Sequence, residues 1–392
     1  MSNNGLVERI QNALRDNSVP AWLFYGFHEI DPIAIRILAF SRHYHATRRW
    51  FYLVPAQGEP VKLVHRIESG QLDHLPGEKR IYLQWQQLEE QLKALLSGTS
   101  QVAMQYSSIP YCSRVDAGTV DSVRQCGVEV VSSENLTQPF EAVWRPHQLA
   151  GHRRAGELLT ATAQAAFEMV ADALRASKEV REQDVQDFIM DRFAAQSLVT
   201  DAPPIVGVQA HSGDPHYSPP PGNSALIGKE NFLLIDLWAK EKDRDSVFAD
   251  ITWTAYLGKT VPARVQQVFD TVVRSRERGF ELLQERFGAG QPVQGFEVDD
   301  AVREVIEKAG YGEYFVHRTG HNLGEETHGN GVHFDNLETH DTRLVIEGIG
   351  CTIEPGIYLP EFGVRSEINV YMAPGGPEIT TPPQSKLLVH DV

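Results

Sequence analysis

The chain reads as an α+β protein in two domains, an expectation that rests on three observations. Residues 1 to about 145 alternate short strand-like runs with helical stretches, the pattern of a small α/β layer structure. Beyond them two helical stripes precede strand-like runs, and the same order then recurs, which suits a pseudo-twofold arrangement although the halves share no strong identity. With 392 residues and 42% hydrophobic side chains, the chain exceeds one ordinary compact core and carries apolar content enough for two. The boundary is expected at residue 146, giving domains of residues 1–146 and 147–392.

In the first domain, Trp50-Phe51-Tyr52-Leu53-Val54 and Val61-Lys62-Leu63-Val64 are strand candidates, and Leu88 to Leu96 is a helical one. In the second, Leu159, Ala163, Ala166, Val170, Ala173 and Leu174 form a stripe facing a core along one helix between Leu149 and Ser177. Val185, Phe188, Ile189 and Phe193 mark another. Pro203-Pro204 and Pro219-Pro220-Pro221 then punctuate a long loop carrying His211 and His216, stiff enough to form one side of a pocket entrance. The apolar run Phe232 to Ile235 ends at Asp236, and Asp250 opens a second strand-like stretch that reaches Leu257. Thr260 and Pro262 begin a helix through Val265, Val268, Phe269 and Val272, and Val298, Val302, Val305 and Ile306 mark a shorter one.

Five ionisable residues sit where solvation alone does not explain them. Asp236 and Asp250 border strand-like runs, Glu354 follows Cys351-Thr352-Ile353, and Glu367 lies inside Val364 to Tyr371. An isolated carboxylate buried in a strand costs roughly several kcal/mol, so it requires a cation or a donor network. Together with His321, these four carboxylates can hold two divalent metal ions, and the balance of charge is right. Singly each has a plainer reading: a turn former for Asp236 or Asp250, and an ion pair with Arg365 for Glu367. The set is stronger than its members.

The segment His317 to Gly331 holds three histidines, His317, His321 and His328, among four glycines, a composition that suits neither helix nor uninterrupted strand. Glycines there let the backbone approach a ligand closely, and clustered imidazoles offer both metal ligation and hydrogen-bond donation. An oxygen-rich site with one imidazole favours Mn, Co, Fe or Zn over copper. Cys112, Cys126 and Cys351 form no CxxC pattern, which argues against a zinc finger and fits a reducing cytoplasm.

The segments containing Asp236, Asp250-Ile251-Thr252, His317-Arg318-Thr319-Gly320-His321, Ile353-Glu354-Pro355-Gly356-Ile357-Tyr358 and Gly363-Val364-Arg365-Ser366-Glu367 occur in this order. They resemble the pita-bread metallopeptidase family, in its creatinase/prolidase-like branch of Xaa-Pro dipeptidases and aminopeptidases. The resemblance covers roughly residues 150 to 385, and the N-terminal part is similar to the creatinase-type domain of that branch.

The resemblance implies helices on the outside of a curved antiparallel sheet with two metals, Mn or Co, on its concave face. It implies that Asp236 chelates one metal, that Asp250 and Glu367 bridge the pair, and that His321 and Glu354 complete the second. It places His216 beside the scissile bond and His328 on the carbonyl oxygen or tetrahedral intermediate, and gives His317 to the pocket of proline-specific members. The implied reaction is cleavage of the Xaa-Pro amide bond of a dipeptide or short peptide by a metal-bridging hydroxide, with Glu354 relaying the proton. A homodimer is also implied. Tyr358 and Arg365 are expected to contact substrate or support the ligands, Arg365 rather by fixing a carboxylate. His333 and His340 are expected as loop histidines.

The chain departs from the family pattern at several points. Thirteen residues separate Asp236 from Asp250, a longer spacing than usual, and the extra Lys240-Glu241-Lys242-Asp243-Arg244-Asp245 is expected in an enlarged hairpin tip. Trp238 replaces a small glycine, Trp253 stands where arginine is frequent, Asn322 follows His321 instead of glycine, and Ile368 follows Glu367 instead of an acid. A metal-dependent lyase, or a hydrolase of a non-peptide amide, therefore remains an alternative on the same fold. A catalytically silent binding protein is a third reading, disfavoured because all five ligands are present.

Composition excludes other classes. A net charge of -16, from 36 basic against 52 acidic residues, argues against a nucleic-acid or anionic-membrane partner. No apolar run reaches the length of about 18 residues a membrane span needs, and Met1-Ser2-Asn3-Asn4-Gly5 lacks the features of a secretory signal. A cytoplasmic location is expected.

Overall fold

The structure, a computed structural model, describes residues 3–40, 44–243 and 245–392. Met1 and Ser2 of the N-terminal segment, and Arg244 of the expected hairpin tip, lie outside the described residues. The chain divides into two units, Met1–Glu141 and Ala142–Val392. The division precedes the expected boundary at residue 146 because the connecting residues belong to the second unit. The Trp144 backbone N–H donates to the Gly348 carbonyl (2.8 Å), and its indole N–H donates to that of Leu323 (3.0 Å).

The first unit is one sheet with helices on it. Its elements are α1 (Asn3–Asp16), β1 (Ala21–Gly26), α2 (Pro32–Ile37), β2 (Trp50–Pro55), β3 (Val61–His65), β4 (Glu78–Tyr82), α3 (Trp85–Leu95), β5 (Gln101–Met104), α4 (Ala117–Gln125), β6 (Glu129–Ser132) and α5 (Glu134–Glu141). The strands lie in the order β4-β3-β2-β1-β5-β6. Both faces are apolar because both are covered: Trp22, Phe24, Tyr52 and Val54 pack on one side, and Leu23, Phe51, Leu53 and Leu63 on the other.

The second unit runs α6 (Pro146–Arg175), α7 (Glu182–Ala195), β7 (Leu198–Val199), β8 (Ile205–Val208), β9 (Asn231–Glu241), β10 (Ala249–Leu257), α8 (Ala263–Gly288) and α9 (Gly295–Lys308). There follow β11 (Asn322–Leu323), β12 (Gly350–Ile353), β13 (Gly356–Tyr358), β14 (Gly363–Arg365), β15 (Ile368–Ala373), β16 (Gly376–Ile379) and β17 (Leu388–Val389). Two helices then strands, twice over, is the order read from the sequence. The strands fall into three sheets instead of one: β17-β10-β9-β7 with β8 also on β9, β11-β12-β15-β16, and the pair β13-β14. All of these pairings are antiparallel except β10 with β17, which is parallel.

Strand alternation explains where the polar residues go. On β9, Leu233, Ile235 and Leu237 pack with Leu159, Phe167 and Val170 of α6 and Ile189 and Phe193 of α7, as do Ile251, Trp253 and Ala255 of β10. On β12 and β15, Cys351, Ile353, Ile368 and Val370 pack instead with Leu282 and Leu283 of α8 and Val298 of α9. The intervening positions, among them Asp236, Asp250, Thr252, Thr352 and Asn369, are thereby turned away from the helices packed on the other face of their own strands. The polar stretch is local: on the face that carries Asp236 and Asp250, Phe232, Leu234 and Tyr256 pack with Val265, Phe269 and Val272 of α8.

Two of the sequence departures lose their weight here. Trp253 and Ile368 lie among core residues under the helices and do not face the acidic cluster. The hairpin also differs from expectation. Asp236 does not end its strand but sits mid-strand, opposite Thr252, and Lys240 and Glu241 belong to β9 rather than to the tip.

Candidate metal centre

The β9–β10 register pairs Asp236 with Thr252 and Asp250 with Trp238, so the two aspartates are diagonal neighbours on one face. The two glutamates come from chain breaks, not from strand interiors. Glu354 lies between β12 and β13, and Glu367, expected within a continuous strand, lies between β14 and β15. His321 immediately precedes β11. Asp250, His321 and Glu367 offer ligand atoms that all lie within 4.8 Å of one another. The His321 Nε2 atom is 3.3 Å from Glu354 Oε1 and 3.6 Å from Asp250 Oδ2. Asp236 is close enough to Asp250 for its negative charge to act on it. The five residues therefore converge.

Neighbouring side chains fix this set. The Thr252 hydroxyl donates to Glu367 Oε2 (2.9 Å) and accepts from Arg365 Nε (3.0 Å). The Thr352 hydroxyl donates to Glu354 Oε1 (3.1 Å) and accepts the His321 backbone N–H (2.9 Å). The Asn369 side-chain amide braces the backbone of Asp250, donating to its carbonyl (2.6 Å) and accepting its N–H (2.9 Å). These three residues were not singled out in the sequence. Each lies two residues from an acidic ligand, Thr252 from Asp250, Thr352 from Glu354 and Asn369 from Glu367, but Glu354 and Glu367 sit outside the strands, so spacing alone gives no signal that pairs them.

Arg365 pairs with Asp236, not with Glu367, so the plain ion-pair reading of Arg365 with Glu367 does not hold. Its remaining donors go to Thr252, to the Tyr358 hydroxyl (2.9 Å) and to the Pro215 carbonyl (3.4 Å). Tyr358 in turn meets His317 Nε2 at 2.6 Å, while His317 Nδ1 lies 2.7 Å from the Arg318 carbonyl. His317, Tyr358 and Arg365 form one chain of contacts ending at Asp236. The His328 ring lies edge-on to His321, 4.3 Å between centroids, on a residue exposed to solvent. His216 is exposed on its loop and near enough to His328 for the two charges to interact. His333 is in a loop, as expected, but buried, its Nδ1 accepting the Asn322 N–H (3.2 Å).

The electrostatics call for positive charge. Burial first, then the negative charges of Asp236 and Glu354, pushes Asp250 well above the usual carboxylate range; burial and then Asp250 do the same to Glu367. Glu354 is raised to about 7, again chiefly by burial, with Arg365 opposing. Burial and the adjacent His328 push His321 well below its ordinary value, leaving a neutral imidazole with a lone pair. Asp236 Oδ1, Asp250 Oδ1 and Glu367 Oε1 are buried without a hydrogen-bond partner. Unsatisfied, mutually repelling carboxylate oxygens beside a neutral imidazole are the donor set of a divalent-cation site. The residues present fit the metals expected from the sequence.

Helices outside, an antiparallel polar interior and this donor set define a pita-bread protein with a carboxylate-rich metal centre. Residues 150–374 match metallopeptidase family M24, and the chain belongs to that family. It is 28% identical over 236 residues to the Xaa-Pro dipeptidase of Pyrococcus furiosus, covering 60% of this chain and 62% of that protein. It is 32% identical over 206 residues to an uncharacterized peptidase of Staphylococcus haemolyticus, SH1217, covering 52% of this chain and 53% of that one. The alignments thus span less than two thirds of these curated relatives. Over the whole fold, the dipeptidase PepE of Mycobacterium ulcerans superposes with a TM-score of 0.70 at 21% identity, covering 100% of this chain and 98% of that one. Among the described residues no helix is long and apolar enough to cross a membrane.

Proposed function

We propose that the chain is a dinuclear metal-dependent peptidase that cleaves the Xaa-Pro bond of dipeptides or short peptides. The observation that carries this reading is the convergence of Asp236, Asp250, His321, Glu354 and Glu367 with three partnerless buried oxygens. In this reading the five side chains hold two divalent ions. Two such ions lower the pKa of a water and polarise a carbonyl, so that amide hydrolysis proceeds near neutral pH. Mn or Co suits the oxygen-rich donors, as do Zn and Fe.

The chain's own residues supply the rest. Glu354, steadied at one oxygen by Thr352, takes a proton from the attacking water and delivers it to the leaving nitrogen. The protein packed around its inner side holds the pKa of His328 down, to about 4, so its ring is neutral and offers an N–H to the oxygen on which charge develops. His216, exposed and close enough to His328 for their charges to interact, is assigned to the neighbourhood of the scissile bond. Tyr358, pushed up to about 12 by burial, stays protonated and links His317 to Arg365. Arg365, whose donors are taken, positions Asp236 instead of gripping substrate.

The test is to measure metal content together with release of the N-terminal residue from Xaa-Pro dipeptides and tripeptides, with Mn, Co or Zn added. Two ions per chain and turnover restricted to proline-containing peptides are expected. Bound metal without any peptide turnover would remove the proline-specific reading in favour of another reaction at this centre.

A further inference from the structure

Glu182 opens α7, and its side chain is fully enclosed, at 0% exposure. Four donors converge on its carboxylate. Oε1 accepts the Val208 backbone N–H (2.9 Å) and contacts His211 Nδ1 (2.8 Å); Oε2 accepts the Tyr217 hydroxyl (2.7 Å) and the Ala225 backbone N–H (3.0 Å). The His211 and Tyr217 rings stack on each other at 4.3 Å between centroids. α7 answers in kind, its Glu182 N–H donating to the Ala225 carbonyl (3.1 Å) and its Gln183 N–H to the Ser224 hydroxyl (3.2 Å).

These donors bracket residues 208–225, the proline-punctuated loop that bears His216. The same loop leans on the β13–β14 hairpin. The Ser212 hydroxyl accepts the Gly363 N–H (2.9 Å), and the Pro215 carbonyl accepts from Arg365 (3.4 Å), which also holds Asp236. One enclosed carboxylate therefore ties both ends of the loop to a helix while its middle rests against the candidate centre.

The donors' chemistry restricts what can stand at position 182. A backbone N–H faces each oxygen, and a backbone N–H can only donate. A carboxylate accepts at both ends, whereas an amide in either orientation sets its own N–H against Val208 or Ala225. An aspartate would be one methylene too short to reach the ring of donors. Simple filling of space would ask only for volume, which glutamine matches.

We propose that Glu182 is a positioning residue for substrate binding: its carboxylate fixes the 208–225 loop so that His216 faces the metal centre. The inference rests on the peptidase reading for its kinetic consequence. It touches neither substrate nor metal ligands.

The experiment is Glu182→Gln, with Tyr217→Phe as a milder variant that removes one donor and leaves both backbone N–H groups accepted. In Glu182→Gln, KM for an Xaa-Pro dipeptide is expected to rise about tenfold, with kcat within about threefold and metal content unchanged. Tyr217→Phe is expected to raise KM less. Amide hydrogen exchange should quicken across 208–225 in Glu182→Gln and not in the body of α7. Unchanged KM in either folded variant, or a fall in kcat that tracks lost metal, would overturn the proposal. If wild type cleaves no Xaa-Pro peptide, the peptidase reading fails, and exchange alone decides the role of Glu182: unaltered exchange overturns it. If Glu182→Gln does not fold, the KM of Tyr217→Phe decides.

Discussion

At Glu354 three constraints meet: burial, the Thr352 hydroxyl and the His321 imidazole 3.3 Å away. Glu354→Gln keeps the shape but leaves no base and weakens a metal ligand, so turnover of an Xaa-Pro dipeptide should fall by a factor on the order of 10² or more, with the far-UV spectrum unchanged. A variant with normal rates would show that the proton moves elsewhere. The acidic ligands were legible because a carboxylate stands out against an apolar run such as Phe232 to Ile235. Their supports were not, because a threonine or asparagine in a strand has no signature until the register shows what it faces. Thr252 became meaningful only when paired with Asp236, whereas Arg365 was expected to fix a carboxylate and the structure shows that carboxylate to be Asp236.

The loop between β11 and β12 shows how one departure from the family pattern is accommodated. Asn322 accepts the Gly331 N–H at Oδ1 (2.9 Å) and donates to the Gly350 carbonyl (2.9 Å), while its backbone carbonyl takes the Gly329 N–H (2.8 Å). A Cβ on Gly331 would lie 2.7 Å from Asn322 Cγ and equally near the Ala142 methyl. The Asn322 side chain therefore fills room that Gly331 leaves, and it staples the segment that presents His328. Gly331→Ala should destabilise the protein by about 1–3 kcal/mol, read as a lower urea midpoint at unchanged slope. Trp238 belongs to the same region, its indole N–H donating to Asp201 (2.6 Å), which also accepts from Thr327 beside His328. The sequence marked Trp238 and Asn322 as unusual, but their partners are distant in the chain and could not be read from it. The helices of the second unit were legible, since stripes such as Leu159 to Leu174 and Val298 to Ile306 are periodic over several turns, whereas in the first unit only α3 was.

For the molecule as a whole, the two-unit division and the doubled order of helices and strands followed from patterning alone. The split into three sheets did not: one break falls at Ser366-Glu367, inside a segment that reads as continuous strand, and another follows Ile353 at Glu354-Pro355. His152 joins layers across the second unit: its Nδ1 lies 2.8 Å from the Phe248 carbonyl and its Nε2 2.7 Å from the Thr380 hydroxyl. Burial lowers its pKa from 6.5 to about 4. The unfolded chain therefore binds a proton there that the folded one refuses, and stability is full above about pH 6.5 and lost as pH falls towards 4, by about 3 kcal/mol. Urea melts at pH 7.5 and 5 should differ less in His152→Gln than in wild type. An equal difference would assign the acid sensitivity to other groups.

The parallel pairing of β17 on β10 reaches further than its two residues suggest. Leu388 and Val389 lie beside Ala255 and Tyr256, and the His390 N–H donates to the Tyr256 carbonyl (3.0 Å). They cover the outer side of the strand that carries Asp250. Trimming the last few residues, or crowding them with a purification tag, would leave a raw, hydrophobic flank open to stacking by other chains, and solubility would suffer before chemistry did.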